Sequence, residues 1–307
     1  SNITYNEKST FYNCSSLTQI SIPSSVTSIG DEAFSKCLSL KQLTIPSSVT
    51  NIGTCFLSEC PKLEKVEIIP CSDQIISYYE DKFIVYKDKS KGEDYYILLW
   101  TNPTIKTINI PSIIKEIGGG SLSYCSLLKE ITIPSTINSM GDYSFCGCSS
   151  LRKITIPTSI TSIGNYSFSE CSSLTQITIP TSIKTIGEYA FYKCKSLKQI
   201  TIPSSVTHIS GCTFRDCSSL TKITIPSSVV SIGNYAFENC SSLIQISIPS
   251  SVRHIGNESF SGCSSLTQIT IASSETYIGN DAFSGCSSLK QISMSKHIYR
   301  KCFGIPA

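Results

Sequence analysis

Sixteen cysteines in 307 residues are the side chains here with the most chemistry to offer. Thiols can pair as disulfides, hold zinc or act as nucleophiles, and their spacing decides which. Eleven fall in one 23-residue register: Cys14, Cys37 and Cys60, then Cys125, Cys148, Cys171, Cys194, Cys217, Cys240, Cys263 and Cys286. That register argues against a disulfide framework. Equivalent residues on neighbouring coils of a repeat lie about 5 Å apart, inside disulfide reach, yet their side chains run parallel. Zinc needs paired short spacings with His or Cys partners. Cys146 and Cys148 are the one close pair, while His208, His254 and His297 are scattered. His208 and His254 share a slot two coils apart, a separation of about 10 Å. Neither a metal nor a cofactor is expected. The register instead predicts a column of buried thiols that pack as small hydrophobes. Cys55 and Cys212 share a second slot and are expected to be partly exposed. Cys71 and Cys302 lie outside the register and are the candidates for reactive or intermolecular thiols.

Other chemistry is sparse. The chain has no phosphate-binding glycine loop, nucleophile elbow or HExxH motif. Three histidines leave little for general base catalysis. Asp31, Glu32 and Glu188 fall in variable coil positions and read as solvated corners. No enzyme is expected. Net charge is 25 − 22 = +3, too small to argue for nucleic acid, and no basic run carries interleaved aromatics. No apolar stretch is long enough to span a bilayer.

Behind the cysteines stands a whole repeat: C-S-S-L-x-x-I-x-I-P-S-S-V-x-x-I-G-x-x-A-F-x-x. In Leu17–Ile22 the alternation marks a half-buried strand, with Ile20 and Ile22 inward and Gln19 and Ser21 outward. Pro23 ends the strand because it has no N–H for a ladder. Ser25 and its equivalents, Ser48 to Ser251, can satisfy backbone groups at the turn. Val26 and Ile29 bury a second side of the coil. Gly30 recurs through Gly53, Gly118 and on to Gly279, which predicts a corner with φ > 0. Asp31–Phe34 leaves room for one helical turn at most. Asn102 takes the Cys slot in a further repeat, leaving 19 extra residues between Cys60 and Asn102, and twelve segments carry the strand pattern. Such a unit buries its apolar face only by stacking on neighbours. The expectation is one solenoid over 1–307, a right-handed coil with one parallel sheet of about twelve short strands.

L-x-x-I-x-I-P at a 23-residue period, with A-F-x-x-C, resembles the BspA-like, treponemal-type class of leucine-rich repeats from Phe11 to about Met294. The Ser/Thr-heavy wording, as in CSSLTQITIP, is similar to the trichomonad branch. The resemblance implies a curved leucine-rich-repeat solenoid of the α/β class, mostly β. It also implies a surface protein of anaerobic bacteria or protozoan parasites, linked to adhesion to host matrix or cells. One departure stands out: Ser or Thr replaces the usual Asn after the strand, so no asparagine ladder is expected.

Residues 70–101 break the array. Phe83–Tyr86 and Tyr95–Trp100 flank a charged Asp88–Asp94 turn with Gly92, which reads as an inserted β-hairpin. Its aromatics either touch a ligand, as Tyr and Trp anchors do, or cover the discontinuity. As an insert between coils, residues 74–99 should be replaceable by a short link without unfolding the repeats. The tail, 296–307, is expected to fold over the last coil as a cap, since an open end exposes apolar surface and invites self-association. Outward strand positions line one face, and the candidate partner-binding residues are Lys153, Thr155, Gln176, Thr178, Gln199, Thr201, Lys222 and Thr224, with Tyr95, Tyr96 and Trp100 of the hairpin. Sequons at Asn2, Asn13, Asn165, Asn239 and Asn257 are possible glycosylation sites. These features fit a protein- or glycan-binding module at a cell surface. An intracellular scaffold and a self-associating structural protein are the rivals.

Overall fold

A computed structural model describes residues 5–70, 76–79, 82–92, 94–273 and 276–293. Asn2, Cys71, Cys302 and the 296–307 tail lie outside them. The chain divides into two compact units, residues 1–151 and 152–307, and each is a β-solenoid. No helix occurs among the described residues, so the α component of the expected class is missing.

All twelve expected strand positions hold a strand, from Gln19–Ser21 to Gln291–Ser293. In the second unit the pairing is parallel and advances one repeat per rung, with Lys153 opposite Gln176 and Gln199 opposite Lys222. The single sheet expected is instead a series of short ladders, because strands of three or four residues make few bonds to each neighbour. A second column of two-residue strands, such as Ser162–Ile163 and Thr185–Ile186, runs where the Ile29 slot was read only as a buried side. The Ser25 slot behaves as expected: Ser182 and Ser228 each donate a hydroxyl to a carbonyl of the preceding coil at 2.7 Å.

The arc from the glycine to the cysteine is a run of turns. In Gly164–Cys171 the N–H of Tyr166, Phe168 and Glu170 donate to Glu188, Ala190 and Tyr192 of the next coil at 2.7–2.9 Å. Alternate residues bond within their own coil. This alternation needs left-handed backbone at two places per coil, two residues after the glycine (Tyr166, φ 55) and just before the cysteine (Glu170, φ 60). Left-handed residues cannot continue a helix, which is why Asp31–Phe34 forms none.

One sequence expectation about this corner is corrected. Gly30 and its equivalents do not have positive φ. They are glycines because coils touch there: a Cβ on Gly187 would sit 2.6 Å from the Asn165 nitrogen, and one on Gly256 2.5 Å from that of Asn234. Asparagines do form a ladder at another slot than the one after the strand, one residue after the glycine. Asn165 Oδ1 accepts the Glu188 N–H at 2.8 Å, Asn234 that of Asn257 at 2.8 Å, and Asn257 that of Asn280 at 2.9 Å. Asp31 does the same for Thr54 in the first unit at 2.7 Å, so it is a coil-to-coil bond and not merely a solvated corner.

Two columns fill the interior. Phe168, Phe191, Phe214, Phe237, Phe260 and Phe283 stack with centroids 5.1–5.6 Å apart. Beside them the cysteines do more than fill space. Cys194, Cys217, Cys240 and Cys263 donate Sγ–H to the carbonyls of Phe168, Phe191, Phe214 and Phe237 at 3.1–3.2 Å. Each thiol thus supplies a weak donor to a second lone pair of a carbonyl that a backbone N–H already uses. All described cysteines are free. Cys14 is exposed and Cys286 half-buried, while Cys55 and Cys212, expected to be partly exposed, are buried. Phe214→Ala should cost about 3–5 kcal/mol, the usual range for an emptied buried aromatic site, read as a lowered denaturation midpoint. A loss under about 1 kcal/mol would mean the column is not continuous.

The first unit contains the interruption. Phe83–Lys87 pairs antiparallel with Tyr96–Thr101, as the hairpin reading requires, and a further strand, Ile76–Tyr79, pairs on its outer side. Tyr96–Thr101 also pairs parallel with Ile114–Ile117, joining the second strand column, and the Gly118 N–H donates to Leu98 O at 2.9 Å. On the arc side the coil before the insert stacks on the coil after it, with Cys55 N–H on Gly119 O at 3.2 Å.

Candidate functional site

The face most available to a partner is the first strand column of the second unit. Gln-Ile-Thr and Lys-Ile-Thr alternate out, in, out. Lys153, Thr155, Gln176, Thr178, Gln199, Thr201, Lys222 and Thr224 are all exposed, and the register puts Thr155 beside Thr178 and Thr201 beside Thr224. The inward isoleucines fix this face by burying Ile154, Ile177, Ile200 and Ile223. A shallow groove of about 690 Å³ runs over these rungs, lined by Gln176, Lys198, Gln199, Thr201, Lys222 and Thr224. A second groove of about 400 Å³ shares Lys222 and Thr224 and reaches Gln268 and Thr270. Among the described residues no ion pair engages Lys153, Lys198 or Lys222. The groove offers ammonium, hydroxyl and amide groups in rows and no buried pocket.

The hairpin candidates belong to the first unit and are held by it. Trp100 is 5 % exposed, inside the cluster that also holds Phe34, Val66 and Leu99, and so is no contact anchor. Tyr95 is half-buried, with its hydroxyl 3.1 Å from Glu116 Oε2 and 3.1 Å from Asn138 Oδ1. Burial and the neighbouring Glu116 push the Tyr95 phenol up. Lys91 bridges to Glu116 at 2.8 Å and lies over the Tyr95 ring at 5.0 Å, while Lys87 lies over Tyr96 at 5.6 Å. Tyr95 and Lys91 thus tie the insert to the coil that follows, while Lys87 and Tyr96 meet within it.

His208 and His254 occupy exposed second-column positions, one rung on either side of Ser231, as their spacing required. Asn165, Asn239 and Asn257 are exposed, but Asn165 and Asn257 also serve the ladder and Asn239 Nδ2 donates to Asp216 at 2.9 Å. Asn13 is exposed with φ 59.

The strand-face reading passed over the arc of the second unit, where Tyr166, Tyr189, Tyr192 and Tyr235 concentrate. Tyr166 and Tyr189 stack at 4.5 Å and Tyr192 meets Tyr189 edge-on at 5.7 Å. The arc cations are already engaged, Lys193 with Glu170 at 3.1 Å and Arg215 with Glu238 at 2.9 Å. The recurring Gly-x-Tyr triplet was the available signal.

The model of a BspA type leucine rich repeat region matches in six copies, over residues 2–85, 99–221 and 207–304. The chain belongs to this family. A leucine-rich repeat protein from Bacteroides ovatus is 28% identical, with a TM-score of 0.61 over 95% of this chain and 82% of its own. One from Eubacterium ventriosum is 27% identical, with a TM-score of 0.65 over 83% and 80%. The T. pallidum leucine-rich repeat protein is 23% identical, with a TM-score of 0.53 over 75% and 96%, a likeness of fold. No functionally curated protein matches this BspA-type chain.

Proposed function

We propose that this BspA-type protein is a non-enzymatic adhesion module that presents the strand face of its second unit to an extended protein or glycan at a cell surface. The observation that carries this reading is the in-register repetition of exposed Lys, Gln and Thr along a groove whose lysines have no ionic partner among the described residues. The face has no Trp or Tyr, and Arg152 at its edge has no aromatic beside it to build a compact hot spot, so affinity arises from many similar weak contacts. Family membership and the exposed sequons support a surface location. The free thiols do not argue for a reducing compartment, because burial and hydrogen bonding already shield most of them. The trichomonad likeness rests on the Ser/Thr-rich strand wording.

The test compares monomeric with tetramerised protein on surfaces coated with matrix protein or host-cell glycans. Binding should appear with the tetramer and weaken about tenfold, about 1.4 kcal/mol, in Lys153→Glu/Lys222→Glu. Equal binding by that variant, with its fold intact, would move the site off the strand face.

A further inference from the structure

Charge in the second unit is sorted by face. Its arcs, glycine slot to cysteine, carry Glu170, Glu188, Asp216, Glu238, Glu258 and Asp281 against two cations, Lys193 and Arg215. Its first-column strand segments carry Arg152, Lys153, Lys198, Lys222 and Lys290 and no carboxylate. The equivalent segments of the first unit are mixed: Glu64, Glu67 and Glu130 stand among Lys41, Lys65, Lys106 and Lys129, and Lys65 pairs with Glu67 at 3.6 Å. A net charge of only +3 for the whole chain therefore hides a basic face, and among the described residues the arc cations are neutralised while the strand-face lysines are not.

Resting on the strand-face reading above, we infer that the groove lined by Lys198 and Lys222 binds a linear anionic polysaccharide bearing sulfate or carboxylate groups. Unpaired ammonium groups attract the anions, and Gln176, Gln199, Thr201 and Thr224 offer amides and hydroxyls to sugar hydroxyls between them. Lys153 extends the cationic line three coils from Lys222, about 14 Å along the stack, a span that one sugar cannot bridge and a chain can. A nucleic acid fits less well, since single strands are held by stacking bases on aromatic rings and none lines this groove. Binding of this kind is ionic and falls with salt.

The experiment titrates the full chain with a heparin-type sulfated oligosaccharide, its desulfated and carboxyl-reduced neutral counterpart and a single-stranded oligonucleotide of equal length. The sulfated probe should bind, weaken by about tenfold or more between about 50 mM and about 300 mM salt, and lose about tenfold or more in Lys198→Glu/Lys222→Glu. Lys193→Glu on the arc should bind as the parent does. No binding of the sulfated probe, an unaffected strand-face variant, or equal affinity for the oligonucleotide would overturn the inference. If the neutral chain binds equally and Lys198→Glu/Lys222→Glu still abolishes it, the anionic class falls while the strand-face reading stands.

Discussion

Titrated with base in the presence of reductant, the protein should unfold cooperatively within about two units above pH 9. Burial pushes the Cys55, Cys60 and Cys125 thiols up from 9.0 to about 12, and Cys217 and Cys240 rise for the same reason. In the unfolded chain these thiols ionise near their ordinary value, about 8.5. A folded pKa above the unfolded one gives stability that is complete below the unfolded value and is lost as pH climbs toward the folded one. Each such thiol removes about 1.4 kcal/mol per pH unit in that window. The three in the first unit together remove about 4 kcal/mol per pH unit, against a total stability of about 5–15 kcal/mol for a typical domain. Circular dichroism followed against pH measures the transition. A native signal persisting to about pH 11.5 would show that the thiols are not the sealed groups described. The same burial predicts that at neutral pH Cys14 reacts promptly with a thiol reagent, whereas these five react only on unfolding.

Replacing residues 74–99 with a short Gly/Ser link should abolish the cooperative fold of the first unit. Ile76, Phe83, Ile84, Val85, Ile97, Leu98 and Leu99 are all buried, and all seven fall in strands that pair across the insert. A buried side chain of this size contributes about 1.5–3 kcal/mol, so the set is comparable with the stability of a whole domain. The link would also strand Ile114–Ile117 without its neighbour Tyr96–Thr101. Cys37, Cys60 and Cys125 should then become reagent-accessible in the excised chain. Continued protection of all three would make the insert an appendage, as its sequence position implies.

That contrast marks what could be read in advance. The period, the strands, their register and the buried thiol column were legible because each repeat restates them, and an error in one unit is corrected by the next. The second strand column was not, because two residues per coil are too few to show alternation. The glycine corner was misread for a physical reason: φ > 0 and close approach both demand glycine, and only the neighbouring coil tells them apart. Cys55 and Cys212 were placed outside because nothing in one coil shows what packs over it. Trp100 looked like an anchor since aromatic runs read alike whether they face a ligand or a seam. The candidate face was legible as two exposed columns, but the absence of ionic partners for its lysines became visible only once arc carboxylates and strand lysines were seen on different segments of the coil.

Lysine acylation, with and without a bound partner, tests the central claim most directly. Read by mass spectrometry, it reports which ammonium groups a partner shields. On a matrix or glycan ligand that the tetramerised protein holds, Lys153, Lys198 and Lys222 should lose most of their labelling. Lys184 and Lys195, exposed but outside the first strand column, should label as before. Shielding of Lys193 on the arc, with the three strand-face lysines still labelled, would contradict the account.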